Sequence, residues 1–564
     1  MQSLLDNSAK EDKSKRSICV FIHSLYGYFI SFLLLYSQKL TTFVAVFKKR
    51  PQESKNYQQL LLDMFHIYKG FPLVETYHKM RFQRKYHPAD GTKRAIKIAL
   101  VAIVTLLLWN MPSEWYGIQN LTVIQQRIIA IFAFATLMWV LEVVSSWATS
   151  IAIIVIMLLF CTDSGIAPMV NEEVVGKVLS HKGVMATFAD PTIMLFIGGF
   201  VLAIAATKTG LDAQLAKVLL RPCGTRSEMV LLGFLLITGL FSMFVSNTAT
   251  AAMMLTFLTP VFRQLPPEGK GRVALAMSIP VAANLGGMGT PIGTPPNTIA
   301  LKYLNDPEGL NLGLGFSQWM MFMFPLVILL LFISWRILLK MFPFTQKNIE
   351  LTIEGGIQKG RHSWIVIVTF FVTIALWLSD KFTGINSNTV AMIPFMVFAL
   401  TGVINKRDLE QINWSVIWMV AGGFALGYGL NASGLAANAV ESIPFGEFSP
   451  VLILILGGAI CYLLSNFISN SATAALLMPI LAIVCGAMGD KLDPIGGTPT
   501  VLIGVAIAAS SAMILPISTP PNALAFATGY VKQNDMVKMG IIMGFISMLF
   551  GFGLVYLMGT LHLI

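Results

Sequence analysis

From about residue 95 onward the chain alternates long apolar runs with short polar breaks, and each run is continuous instead of alternating residue by residue. Continuous runs of about 20 apolar residues suit bilayer-crossing helices, whereas a membrane barrel would show short strands of period two. The pattern predicts crossings at 95–112, 124–143, 145–161, 191–207, 273–304, 317–341, 363–380, 388–404, 412–430, 499–530 and 536–561. Two further stretches, 227–265 and 449–487, are each split by a polar block into two apolar arms. The crossings at 273–304 and 499–530 are themselves interrupted by Pro-rich segments. The expectation is an all-α polytopic membrane protein with about 11 transmembrane helices, two re-entrant helical hairpins and two broken helices.

The polar interruptions are duplicated. Gly198-Gly199-Phe200, Ser246-Asn247-Thr248-Ala249-Thr250 and Gly293-Thr294-Pro295-Pro296-Asn297 recur as Gly422-Gly423-Phe424, Ser469-Asn470-Ser471-Ala472-Thr473 and Ser518-Thr519-Pro520-Pro521-Asn522, at offsets of 224, 223 and 225. One such word is weak, but three in register divide the chain into a first half at 95–341 and a second at 363–561, preceded by an extension at 1–94. Five crossings separate the two hairpins, an odd number, so the second half is inverted relative to the first. Polar, Gly/Pro-broken segments at matching places in two apolar halves point to a transporter's substrate site.

Composition narrows the class. The 564 residues are 55% hydrophobic and 12% charged, with mean hydropathy +0.72, against about 25% charged in soluble domains. Residues 1–94 hold 16 Lys/Arg and 7 Asp/Glu. A basic segment joined to a membrane domain is drawn to anionic headgroups on the cytoplasmic side, and no nucleic-acid motif accompanies it, so no nucleic-acid partner is expected. The apolar stretch 18–36 reads as an interfacial or re-entrant helix, because a full span would place Lys48-Lys49-Arg50 outside. With the N-terminus inside, the inside loops hold 13 Lys/Arg and the outside loops 4, which also puts the C-terminus outside. The expected location is a plasma or inner membrane. The five cysteines are isolated, with no CxxC, and show no disulfide framework or zinc site.

At each hairpin tip, Ser246-Asn247-Thr248 or Ser469-Asn470-Ser471 lies where a second helical arm begins. Free N–H groups at a helix start form an anion site, and Ser, Asn and Thr are also good N-caps. The Asn amide can donate to a carboxylate or sulfate and can offer its carbonyl to a cation. The paired prolines unwind the broken helices, freeing carbonyls and N–H groups, and Asn297 and Asn522 are placed to cap the helices that follow. One copy alone reads equally as a capped turn or a proline kink; two in register favour a binding site. No Lys, Arg, His, Asp or Glu occurs in the Ser-Asn or Pro-Pro-Asn blocks. A proton relay would normally show acids or His there, so anion transport coupled to Na⁺ fits better than coupling to H⁺. No organic cofactor is expected. No nucleophile–base pair, metal-ligand cluster or paired acids suggests an enzyme.

These signatures, hairpins and broken helices resemble the divalent anion/sodium symporter family, the Na⁺/dicarboxylate and Na⁺/sulfate cotransporters, over about residues 95–564. The second signature departs from the family pattern in carrying Ser471 for Thr. The resemblance implies one sodium site from Ser242, Ser246, Asn247 and the Gly293 backbone, and a second from Ser465, the Ile468 backbone, Asn470 and the Ser518 backbone. It implies a substrate between the tips, touching Asn247, Thr248, Thr294, Asn470, Ser471, Thr519 and Pro520. It further implies a homodimer in which a transport domain moves against a scaffold in an elevator-like step. The function expected is sodium-coupled symport of di- or tricarboxylates such as succinate. A dicarboxylate exchanger of the same fold and a sodium/sulfate symporter are the alternatives.

Overall fold

The computed structural model describes residues 89–563 apart from 267–268, 307–309, 350–359 and 443–448. The expected helix at 18–36 lies outside these residues. The α-helices longer than six residues run in the order α1 Ala89–Asn110, α2 Val123–Val140, α3 Ser146–Cys161, α4 Pro191–Thr209, α5 Leu211–Leu220, α6 Ser227–Phe244, α7 Asn247–Gln264, α8 Gly271–Gly287, α9 Pro295–Leu304 and α10 Phe316–Met341. The order continues with α11 Arg361–Leu378, α12 Ser387–Leu400, α13 Trp414–Ala432, α14 Leu435–Ser442, α15 Pro450–Phe467, α16 Asn470–Met488, α17 Gly497–Ser510, α18 Pro520–Ala527 and α19 Gln533–Thr560. Among the described residues nine helices are long and apolar enough to cross a membrane. Large apolar side chains such as Leu463, Phe371, Phe545 and Leu549 stand more than half exposed on α15, α11 and α19, which lipid accommodates and water does not.

Local chemistry sets the ends. Thr122 and Gln125 form a reciprocal capping box that starts α2 (3.3 and 3.0 Å). Asp190 accepts from the Thr192 N–H at 2.9 Å and Pro191 opens α4, where a missing N–H costs no helical bond. Gly210 (φ 71°) and Gly434 (φ 75°) turn the chain left-handed before α5 and α14, a conformation only glycine adopts freely. These two short helices fall where the sequence predicts loops.

The packing is reciprocal. The Gly-Gly-Phe helix of each half crosses a helix of the other, α4 on α12 and α13 on α3. At the crossings a Cβ on Gly198 would run into the Ala391 backbone, and one on Gly422 into Ser150. Both crossings therefore need glycine for close backbone approach. Within each half the first hairpin arm packs on the first part of the broken helix, α6 on α8 and α15 on α17. Between halves, α8 packs on α18 and α17 on α9, while α7 meets α18 and α16 meets α9. The hairpins and broken helices thus form one interleaved bundle.

Candidate functional site

Both hairpin tips are built alike. Helix α6 ends at Phe244, Val245 is extended, and Ser246 caps α7 by accepting from the Ala249 N–H at 3.2 Å. Helix α15 ends at Phe467, Ile468 is extended, and Ser469 accepts from the Ala472 N–H at 3.2 Å. Each asparagine is therefore the first residue of its helix, beside the unpaired N–H groups that attract anions.

One turn before each tip a fully buried serine faces the asparagine. Ser242 Oγ lies 2.6 Å from Asn247 Oδ1 and 2.8 Å from the Ala283 carbonyl. Ser465 Oγ lies 3.0 Å from Asn470 Oδ1 and 3.0 Å from the Ala509 carbonyl. A hydroxyl carries one proton, so it satisfies one of its two acceptors at a time. Three oxygens then share one proton, and a hard cation would satisfy the remaining lone pairs. The Asn247 head and the Gly293 carbonyl both border Gly287: a Cβ there would sit 2.9 Å from both head atoms of Asn247 and 3.2 Å from that carbonyl. The chemistry of these oxygens fits Na⁺ as cargo.

The broken helices differ from expectation in one respect. Asn297 and Asn522 do not cap α9 and α18; Thr294 and Thr519 hold the cap positions, and Thr519 Oγ1 accepts from the Asn522 N–H at 3.4 Å. Prolines fill the first two helical positions, which puts each asparagine third, turned back over the unwound segment. Asn297 Nδ2, with two protons to donate, lies within hydrogen-bond distance of the carbonyls of Gly287 (3.0 Å), Met288 (3.2 Å) and Thr290 (2.8 Å) and shares them among the three. Asn522 Nδ2 donates to those of Met513 (2.8 Å) and Leu515 (3.0 Å). The carbonyls freed by unwinding are thus partly held by the protein itself, as backbone at membrane depth requires.

A hydroxyl also ties each unwound segment to its hairpin. Thr290 Oγ1 donates to the Met243 carbonyl and accepts from the Gly293 N–H at 3.1 Å. Ser518 Oγ donates to the Asn466 carbonyl at 2.9 Å and accepts from the Leu515 N–H at 3.0 Å. Thr290 corresponds to Leu515 and Gly293 to Ser518, so the hydroxyl sits at opposite ends of the same pair.

Of the expected substrate residues, Thr248 and Pro520 are exposed, Asn247 and Asn470 half-buried, and Thr294, Ser471 and Thr519 buried. Two charged residues escape a reading confined to the repeated blocks. Lys302, near the end of α9, pairs with Asp190 at the start of α4 at 2.5 Å and lies 4.7 Å above the Phe424 ring. Its position after the Pro-Pro-Asn block was visible, but its partner 112 residues away was not.

Two like-built, oxygen-rich tips within one helical bundle suit a secondary transporter. Residues 136–496 match the family described as citrate transporter (CitMHS). The chain is 33% identical over 390 residues to an uncharacterized transporter of Haemophilus influenzae, covering 65% of this chain and 81% of that protein. It is 29% identical over 487 residues to the sodium-dependent dicarboxylate transporter SdcS of Staphylococcus saprophyticus, covering 79% and 87%. It is also 29% identical over 507 residues to the sodium-dependent high-affinity dicarboxylate transporter 3 of Caenorhabditis elegans, covering 79% and 84%. The chain belongs to the divalent anion/sodium symporter family, and it is a multi-pass membrane transporter, not an enzyme.

Proposed function

We propose that this protein is a sodium-coupled symporter of di- and tricarboxylates such as succinate. The paired clusters of Ser242, Asn247 and Ala283 and of Ser465, Asn470 and Ala509 carry the reading, because each gathers three oxygens around one proton beside a helix N-terminus. Na⁺ bound there neutralises the anion where no Lys or Arg is present, and each asparagine serves both, its carbonyl toward the cation and its amide toward the carboxylate. Sodium site 1 is assigned to Ser242, Ser246, Asn247 and the Gly293 carbonyl, and site 2 to Ser465, Asn470 and the carbonyls of Ile468 and Ser518. The substrate lies between the tips against Asn247, Thr248, Thr294, Asn470, Ser471, Thr519 and Pro520. The names of relatives in Staphylococcus and Caenorhabditis support both the ion and the substrate class.

The bundle of α6–α9 and α15–α18 is proposed as the moving body of an elevator-type cycle in a homodimer, with the N-terminus cytoplasmic and the C-terminus outside. The test is uptake of radiolabelled succinate into proteoliposomes with and without an inward Na⁺ gradient. Gradient-driven accumulation supports the symporter. Uptake only against internal dicarboxylate, indifferent to Na⁺, would identify an exchanger, and labelled sulfate tests the remaining alternative.

A further inference from the structure

One buried polar joint between the halves is closed by a side-chain hydrogen bond that its pseudo-symmetric counterpart lacks. Asn284, near the end of α8, donates its amide to Asn522 Oδ1 at 3.1 Å, linking the first half to the second. Both residues are 2% exposed. Asn284 directly follows Ala283, the carbonyl that Ser242 contacts, and Ser510 directly follows Ala509, the carbonyl that Ser465 contacts. Ser510 ends α17, which packs on α9, the helix that carries Asn297. By the hydrogen-bond register of the repeat, Ser510 is the counterpart of Asn284, and Asn297 is the counterpart of Asn522.

A serine places its polar atom one bond closer to the backbone than an asparagine does. Asn297 Oδ1 and Ser510 Oγ are both buried atoms without a hydrogen-bond partner, on residues 0% and 2% exposed. Buried polar atoms are seldom left unpaired. Two orphans on helices packed against each other mark a place where something supplies the missing bonds. Asn297 Oδ1 can only accept, while the Ser510 hydroxyl can donate and accept.

The geometry points to an ordered internal water bridging Ser510 Oγ and Asn297 Oδ1, in the place of the amide head that Asn284 contributes to the other joint. Water needs two to four polar partners, and the two orphans supply the minimum. A cation would need more oxygens, and the Gly287, Met288 and Thr290 carbonyls are already engaged by Asn297 Nδ2. The bundle thus has one dry joint and one wet joint, and the wet one adjoins the carbonyl of the Ser465 cluster. It stands whether or not the transport reading does, because it rests only on burial and pairing.

High-resolution cryo-electron microscopy of the full chain in nanodiscs, in NaCl and in choline chloride, tests this. The expected result is a density peak within hydrogen-bond distance of both atoms in both salts. No peak overturns the proposal, and a peak confined to NaCl overturns it in favour of a cation. The same measurement on Ser510→Asn should show the peak replaced by an amide group bonded to Asn297; a peak persisting beside an amide turned elsewhere overturns it. Ser510→Ala, which strips the water of one partner, should lower the thermal midpoint of the purified protein, and an unchanged midpoint counts against the bridge.

Discussion

The two halves agree at the hairpin tips and differ in the side chains that support them. Both tips place an extended residue, a capping serine and an asparagine in sequence, and both set a buried serine against the asparagine and a helix-end carbonyl. The supports are less alike. The tether hydroxyl comes from Thr290 in one half and Ser518 in the other, and the inter-half joint uses Asn284 in one and Ser510 in the other. Only the first half has Lys302 after its Pro-Pro-Asn block, where the second has Ala527. Divergence is tolerated where several residues can make the same bond, and it is absent where one oxygen must stand at one place.

The glycine crossings test the equivalence most severely. Gly198→Ala and Gly422→Ala should each destabilise the fold by about 1–3 kcal/mol or more, because backbone or a neighbouring helix must move. Gly199→Ala, whose nearest neighbour is the Ile292 side chain at 3.7 Å, should be tolerated. Folded yield and melting temperature in detergent decide this, and equal tolerance at Gly198 and Gly199 would break the reciprocal-crossing reading.

Asn247→Ala and Asn470→Ala should each weaken dicarboxylate binding about ten- to a hundredfold, since a hydrogen bond to a charged group is worth about 1.5–3 kcal/mol. Binding measured on purified, well-folded protein checks this; wild-type affinity in both would make the tips scaffolding. The tethers sharpen the comparison further. Thr290→Val and Ser518→Ala should cost about 1–2 kcal/mol each in thermal stability. Adding Ser at Leu515 should partly restore the Ser518→Ala variant, because it moves the hydroxyl to the position used in the first half.

The smallest effect belongs to the unduplicated ion pair. In a double-mutant cycle Lys302→Met and Asp190→Asn should couple by about 0.5–1 kcal/mol in stability. Additive effects would mean that the contact contributes nothing beyond its separate ends.

Much of this architecture was legible because its chemistry is local. The apolar runs fixed the helices, and the Ser-Asn and Pro-Pro words fixed the breaks to within a few residues: the arms end at Phe244 and Phe467, and α9 and α18 begin at Pro295 and Pro520. The short helices α5 and α14 were missed because ten and eight residues are too few to stand out from a polar loop. The role of Asn297 and Asn522 was misjudged for a different reason. A cap is a local motif, whereas their actual partners are carbonyls on the far side of an unwound loop, whose path only the folded bundle defines. The partners of Gly198, Asn284 and Lys302 are likewise more than a hundred residues away in sequence.

The central claim is that each buried serine–asparagine pair holds a coupling cation. Its most direct test is a Na⁺ titration of succinate uptake by Ser242→Ala and Ser465→Ala in proteoliposomes, with protein content and folding matched to the parent. Each variant keeps the asparagine amide and removes one cation oxygen. The account predicts that half-maximal uptake shifts to roughly tenfold higher Na⁺ in each, the equivalent of about 1.4 kcal/mol, while saturating Na⁺ restores uptake. An unchanged Na⁺ dependence in both variants would contradict it.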